Sequence, residues 1–442
     1  MDRLRRAACG TLSTATLALA FALGPVALAS AAPLSLAEAE RLALEGDAMI
    51  AAYGDEAAAY RDRAVAARQL PNPEARVGAV NVPADSLSLS ADDMTMLEVG
   101  VMQRFTPDRG PMGDRLDRLA DGREARIVAR TREVRLAVRS AWAEAAATAR
   151  ERELVREQQG WVRRMEAAAT SMYASGEGVG QAELLNARLE LAMLDERALM
   201  LDEEAAMRRA ALVRWLGDVA DLQLELPRPA PPSPLATLEE RLARHPAHVE
   251  AAAAIAAAEA EAAVARAKFR PMWGIDVAYG FRSGREGMAA APVDPMAADA
   301  MTESIAPGPR RSDMLSAMVT VELPFFTKHR QQRELSAARA EVRAAERMRE
   351  DGLRMLTMSL REVHARATRA GAMLELMDTR VLPTARTAAE AALAAYAAGS
   401  GSYDSVVAAT RARLDAEVRR LRTATELAIA GAQLDALAGD LP

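Results

Sequence analysis

The chain is poor in the residues that most often carry chemistry. It contains one cysteine and four histidines in 442 residues, which excludes a disulfide framework, a cysteine-type zinc site and an iron–sulfur cluster. Its net charge of −6 offers no basic surface to nucleic acid. The sequence shows no nucleophile–base group, no glycine-rich phosphate loop and no metal-ligand cluster. We therefore expect neither an enzyme nor a cofactor or resident metal.

Aromatic residues make up only 4% of the chain and lysine is almost missing, whereas alanine and arginine are abundant.

The N-terminus has the pattern of an export signal. Arginines open the chain, residues 7–28 are apolar and uncharged, and Ala29-Ser30-Ala31 supplies the small residues of a cleavage site. The apolar stretch could also span a membrane as an uncleaved anchor. We predict a cleaved signal peptide at 1–31.

Two tandem copies of one unit follow this segment. The run Tyr173–Gly178 returns as Tyr396–Gly401, and Val99–Phe105 corresponds to Val319–Phe325. Each copy is expected to contain a helix, a β-hairpin, and a pair of long helices joined by a tight turn. The expected bounds are a first repeat at 32–217 (hairpin 73–105, helix pair 109–217), a proline-rich linker at 218–234 and a second repeat at 235–442 (hairpin 271–325, helix pair 327–440).

The long helices carry a coiled-coil seam. Apolar residues from Leu353 to Val381 follow one another in alternating steps of three and four, and those from Val134 to Ala145 keep the same spacing. A helix over about 114–172 would be roughly 90 Å long. Such a rod cannot bury itself in a globule, so we expect helices packed side by side around a wide axis.

Four segments alternate apolar and polar residues with a period of two. The clearest runs from Trp273 to Phe281, and the weakest from Glu74 to Val82. A transmembrane strand and a half-buried strand of a soluble sheet both give this alternation. The export signal and the charges on the polar face favour membrane strands around a lumen. The residues expected to line that lumen are Glu98, Arg104, Asp276, Arg282 and Glu322.

Four strands are too few for a closed barrel, since about eight are needed. An open sheet edge in lipid would leave backbone groups unpaired at a cost of several kcal/mol each. A membrane protein of this kind must therefore oligomerise, and three copies would supply twelve strands. Loops 83–93 and 284–313 would then face outside. The alternative is a structural periplasmic coiled-coil protein with a small soluble sheet.

Taken in order, these features resemble the TolC-type outer-membrane efflux channel family over essentially the whole mature chain. The resemblance is carried by Leu34–Ala39, Leu70–Pro73, Val321–Phe326 and the paired Tyr-x-x-Gly turns. It implies a mixed fold, a homotrimer in which a twelve-stranded membrane β-barrel continues into a long α-helical coiled-coil tunnel in the periplasm. It also implies two partners, a periplasmic adaptor (membrane fusion protein) and an inner-membrane pump. An outer channel for one-step protein secretion would share this fold.

The resemblance also implies site residues. Within the family, Gly176–Leu185 is most similar to the outer channels of heavy-metal cation efflux systems. Members often carry an acidic residue six positions after the turn glycine, where this chain has Ala182 and Ser405. Glu183 and Asp404, displaced by one, are either a gate that favours cations or helix N-terminal acids that interact with the helix dipole. The tip that docks on the adaptor is expected to comprise Tyr173, Gly176, Gly178, Gly180, Tyr396, Gly399 and Gly401.

Methionine is the remaining unusual feature, with 22 residues in the chain. Several lie near the predicted strands, among them Met96, Met102 and Met318. Thioethers are ligands that suit Cu(I) and similar soft cations. Methionine also substitutes freely for leucine in apolar environments, so the sequence leaves both interpretations open.

Overall fold

The computed structural model describes residues 34–90, 92–175, 180–217, 224–283 and 311–438. The predicted signal peptide at 1–31, most of the predicted outer loop at 284–313, and Gly176 and Gly178 lie outside these ranges.

The described residues form long α-helices and one small sheet. Within them, no helix combines the length and the apolar character that membrane crossing requires. The helices are α1 (Leu36–Glu45), α2 (Ala48–Arg68), α3 (Arg109–Ser175), α4 (Gln181–Leu216), α5 (Leu235–Leu242), α6 (Pro246–Ala267), α7 (Gln331–Leu376), α8 (Leu382–Ala397) and α9 (Tyr403–Ala438). The strands are β1 (Glu74–Val80), β2 (Met96–Phe105), β3 (Met272–Phe281) and β4 (Met314–Glu322).

Helix α3 is the longest rod. Its 67 residues correspond to about 100 Å at 1.5 Å per residue. Residues 224–234, the described part of the proline-rich segment, form neither helix nor strand. The indole N–H of Trp142 on α3 donates to the backbone carbonyl of Glu225, at 3.0 Å. The connection is thereby held against the long helix.

Local sequence explains how the first helices begin. Ser35 caps α1 in a reciprocal capping box with Glu38. The backbone N–H and hydroxyl of Ser35 both donate to the Glu38 carboxylate and lower its pKa. Asp47 caps α2 by accepting from the N–H groups of Met49 and Ile50.

The sheet is antiparallel with the strand order β1-β2-β3-β4. Across it, Val77 is the register partner of Val99, Val101 that of Val277, and Val277 that of Ala317. Neighbours in register share a face, so the odd-numbered apolar residues of all four strands lie on one side. Strand β1 ends at Val80 rather than at the predicted Val82, because Asn81 adopts a left-handed conformation with φ 57°.

The central residues of the predicted helix seams are buried, and Leu353, Leu356, Leu374 and Ala141 are partly buried. Leu360, Val363, Ala367 and Ala370 of α7 pack in one cluster with residues of α5 and α9. Val134, Val138, Trp142 and Ala145 of α3 pack in another with residues of α1 and α4. A third cluster joins α3, α4 and α9. The many alanines at these positions let the helices approach closely.

The seam shifts by one residue after Met377. Val381 is only half-buried, whereas Leu382 is 6% exposed. A π-helical turn at Met377–Val381 separates α7 from α8, and the N–H of Leu382 donates to the carbonyl of Met377. Pro383 accounts for this turn, since a proline ring inside an α-helix clashes with the carbonyl four residues earlier. The extra residue moves the seam by one position.

Candidate functional site

The sheet has two chemically different faces. The apolar face consists of the odd-numbered strand residues and is open to the surroundings. Val77 is 80% exposed, and Trp273 and Phe281 are about half exposed. The polar face consists of the even-numbered residues, and in β3 all of these except Met272 are buried. An exposed surface of Val, Leu, Ile and aromatic side chains requires a partner that is not water.

A charge cluster occupies the polar face. The Arg76 guanidinium contacts the Glu98 carboxylate at 2.8 Å and the Asp276 carboxylate at 2.7 Å. Arg76 is half exposed, whereas the Asp276 side chain is only 6% exposed. The cluster therefore ties β1 to β3 across β2. Sequence reasoning placed Glu98 and Asp276 on this face but missed Arg76, whose signal was its position between the apolar Ala75 and Val77.

The other predicted lumen residues lie outside this cluster. Arg104 pairs with Glu74 at 3.2 Å, and both side chains are half exposed. Glu322 is the register partner of Met272 at the opposite edge of the sheet. Arg282 follows the last residue of β3, and its backbone N–H donates to the carboxylate of Asp313 at 3.1 Å. The structure thus groups Glu98 with Asp276 and separates Arg104, Arg282 and Glu322 from them.

A second candidate region is the turn between α8 and α9, residues 398–402. Gly399 has a φ of 70°, which a residue with a side chain rarely adopts. The N–H groups of Ser400 and Gly401 both donate to the carbonyl of Ala395, which closes the end of α8 as in a Schellman motif. A Cβ on Gly401 would lie 3.0 Å from the backbone nitrogen of Tyr396. The geometry of this turn thus depends on both glycines.

An aromatic pair anchors this turn. The rings of Tyr396 and Tyr403 meet edge to face with their centroids 6.2 Å apart. Tyr403 is 1% exposed, and its hydroxyl has no hydrogen-bond partner among the described residues. Burial raises the pKa of Tyr403 to about 12. Burial and the charge of Glu183 raise the pKa of Tyr396.

The corresponding turn between α3 and α4 is described only at its borders. Tyr173 is 47% exposed near the end of α3. Gly180 is the N-cap of α4 and, as a glycine, makes no side-chain cap. Gly176 and Gly178 lie outside the described part of the chain.

The helices that follow the two turns, α4 and α9, begin side by side. The Asn186 amide donates to the Asp404 carboxylate at 3.1 Å, and Arg411 contacts Glu190 at 2.7 Å. Glu183 and Asp404 each lie in the first turn of their helices. This position suits the gate and the dipole interpretations equally. Both acids nevertheless belong to one end of the helical part.

Neither region has the arrangement of a catalytic centre. Among the described residues, no three His, Cys, Asp or Glu side chains cluster as metal ligands would. The two regions combine an exposed apolar surface, a charged opposite surface and a glycine-dependent turn. This combination suits a passage and a contact with another protein.

Comparison with known proteins agrees with this geometry. Residues 237–440 match the family model described as outer membrane efflux protein. No curated protein matches the chain in sequence. The match covers β3, β4 and the helices that flank them.

The fold is shared with solved outer-membrane channels. The crystal structure of CusC gives a TM-score of 0.72 at 17% identity, with 91% of each chain covered. VceC of Vibrio cholerae gives 0.71 at 17% identity, over 91% of this chain and 96% of that one. The CmeC outer membrane channel of Campylobacter jejuni gives 0.73 at 13% identity, over 91% and 85%. The prediction of long helices with a four-stranded antiparallel sheet is confirmed.

Proposed function

We propose that this chain, whose residues 237–440 match the outer membrane efflux protein family model, is a member of that family and the exit duct of a tripartite efflux system. It would carry small solutes passively, after an inner-membrane pump has delivered them through a periplasmic adaptor. Its two repeats, at 32–217 and 235–442, would each contribute one hairpin and one pair of long helices. The single observation that carries the proposal is the sheet with one apolar and one charged face.

The family match at residues 237–440 and the shared fold support the coarser part of this proposal. The chain would be a TolC-type outer-membrane efflux channel protein without enzymatic activity, with its helical part in the periplasm. Family members form trimeric channels.

The sheet supports a trimer for this chain as well. Strands β1 and β4 are its edges, and every residue of β4 is exposed. Unpaired strand edges are costly in lipid, and pairing β4 of one copy with β1 of the next would satisfy both. Three copies would then form a twelve-stranded barrel, with the apolar face toward lipid. Glu98, Arg104, Asp276, Arg282 and Glu322 would line or border its lumen.

The turns support a docking tip. The turn at 398–402 is exposed at Ser400 and closed by backbone hydrogen bonds, so a partner can contact a surface of fixed shape. We assign adaptor contact to Tyr173, Gly176, Gly178, Gly180, Tyr396, Gly399 and Gly401. Glu183 and Asp404 would form a cation-favouring constriction close by. The cargo class that we favour is heavy-metal cations, and organic drugs are the alternative.

Fractionation tests the channel against the structural coiled-coil alternative. A channel is extracted from outer membranes only by detergent and migrates as a trimer. A periplasmic scaffold is released by salt. A monomer in the salt wash would overturn the proposed function.

The docking role is tested by a charge at the turn. Gly399→Arg is expected to abolish resistance to exported compounds in a deletion strain, whereas the trimer still assembles. The matched control is Gly399→Asn, because asparagine tolerates the left-handed conformation and adds no charge. Normal resistance in the arginine variant would remove the docking role from this turn.

A further inference from the structure

The methionines of the sheet all lie on one face. They are Met96, Met102, Met272, Met314 and Met318, and every one is even-numbered and therefore on the polar face. Within the four strands as described, the apolar face carries none. Methionine that merely replaced leucine would belong on the apolar face. The distribution therefore points to the thioether sulfur rather than to the apolar surface of the side chain.

Two of these methionines flank the buried carboxylate. Asp276 on β3 is the register partner of Met102 on β2 and of Met318 on β4. Adjacent strands lie about 4.8 Å apart, and methionine is long, unbranched and flexible. Both sulfurs can therefore reach the space over Asp276. Met318 is 59% exposed, so its side chain is free to move there.

The carboxylate between them is incompletely satisfied. Asp276 is 4% exposed, and one of its oxygens accepts from Arg76 at 2.7 Å. Its second oxygen, Oδ2, is buried and has no hydrogen-bond partner among the described residues. Such an atom carries the full desolvation cost. Arg76 is shared with Glu98, so the three side chains together carry one net negative charge, and a bound cation would compensate for it.

A second methionine pair lies further along the same face. A Cβ built on Gly280 would be 2.5 Å from Sδ of Met96 and 3.7 Å from Cβ of Met314. The sulfur of Met96 therefore lies over this glycine, and Met314 is the register partner of the glycine on β4. Gly280 is four residues from Asp276 on β3, which is about 13 Å at 3.3 Å per residue. The absence of a side chain at this glycine gives the thioethers room.

We infer that Met102, Asp276 and Met318 form a transfer site for a soft monovalent cation, Cu(I) or Ag(I). Met96 and Met314 form a second binding site further along the same face of the sheet. The inference rests on the proposed function, since it treats the cation as cargo. Thioethers select soft cations, and carboxylate and imidazole clusters select harder ones. The described residues hold no cluster of the second kind. Weak binding at successive sites suits a cation that has to pass along the channel.

Silver binding to the purified full-length protein tests the site. The probe is silver nitrate in chloride-free detergent buffer, and bound silver is counted by mass spectrometry after equilibrium dialysis. Met102→Leu combined with Met318→Leu is expected to lose about one silver ion per chain. Asp276→Asn is expected to weaken this binding by about tenfold, as loss of a supporting carboxylate does elsewhere. Zinc is expected not to compete.

The matched control is Met207→Leu with Met358→Leu, two methionines that are more than half exposed on the helices α4 and α7. This control should bind as much silver as the wild-type protein. If the strand and helix variants lose silver equally, or if neither loses any, the transfer site is refuted.

Resistance measurements separate this inference from the proposed function. With the strand variant, silver resistance should fall severalfold while resistance to a neutral drug stays normal. If the wild-type protein exports drugs but binds no silver at the strands, only the transfer site is refuted. Silver binding in a protein that exports no compound would refute the proposed function and leave the site standing.

Discussion

Arg76 offers the sharpest test of the polar face. Arg76→Leu leaves two carboxylates without their shared cation, and one of them, on Asp276, has a side chain only 6% exposed. Breaking a buried pair by removing one partner costs about 3–5 kcal/mol. Arg76 itself is 51% exposed, so solvent screens part of the interaction. We therefore expect a loss of about 2 kcal/mol in the free energy of unfolding.

A double-mutant cycle identifies the source of this loss. Asp276→Asn alone should cost about 1 kcal/mol, because Arg76 keeps its contact with Glu98. The double variant should be more stable than Arg76→Leu by about 1 kcal/mol, since the uncompensated charge is gone. The measurement is urea unfolding in detergent, followed by tryptophan fluorescence in a background in which Trp273 is the single tryptophan.

The control for this cycle is Arg104→Leu. Arg104 and Glu74 are both half exposed, and an exposed pair contributes about 0–1 kcal/mol. If Arg76→Leu and Arg104→Leu had equal effects, or if the losses at Arg76 and Asp276 simply added, the assignment of a buried charge at the sheet would be refuted.

Three further predictions concern the helices and their turn. Tyr403→Phe should raise the free energy of unfolding by up to about 1 kcal/mol, because the hydroxyl lost is buried and unpartnered among the described residues. Burial raises the pKa of this tyrosine from 10.0 to about 12. As the pH rises from 10 to 12, the wild-type protein should therefore lose stability through this group, whereas Tyr403→Phe should not. An equal loss of stability in both proteins over this pH range would contradict this prediction. Burial lowers the pKa of His245 from 6.5. The folded protein therefore loses stability relative to the unfolded chain as the pH falls below 6.5. His245→Asn keeps an acceptor for the N–H of Ala247 and should flatten the thermal stability between pH 7 and 5. Gly401→Ala should speed amide exchange around Tyr396, because the new Cβ crowds its backbone; unchanged exchange would refute the tight turn.

Sequence periodicity was sufficient to predict the faces of the sheet. Trp273 and Val277 share a side because a strand has a period of two, and this holds whatever the strand pairs with. The seam through Leu360 and Val363 follows in the same way from the helical period. Elements with a strong local pattern were therefore predictable.

Long-range register was not predictable in the same way. Arg76 was missed because β1 has the weakest alternation, and its contact with Asp276 depends on the pairing of three strands. The π-helical turn was missed because the apolar spacing continues without interruption to Val381. Pro383 was the available signal, and its effect depends on how α8 packs.

The two tandem repeats expected from the sequence predict two equivalent turns, but the turns have different residues at the positions that make the contacts in the second repeat. Counted from the shared tyrosines, Gly180 stands where the second repeat has the buried Tyr403, and Gln181 stands where it has Asp404. The aromatic pair of Tyr396 and Tyr403 therefore exists only in the second repeat. The hydrogen bond from Asn186 to Asp404 joins the first repeat to the second, and Gln181, at the position that corresponds to Asp404, offers no carboxylate for an equivalent bond from the second repeat. In this chain the turn at 398–402 is anchored by packing, and α4 begins at a glycine without a side-chain cap. The two repeats that we propose therefore differ at the residues that make these contacts.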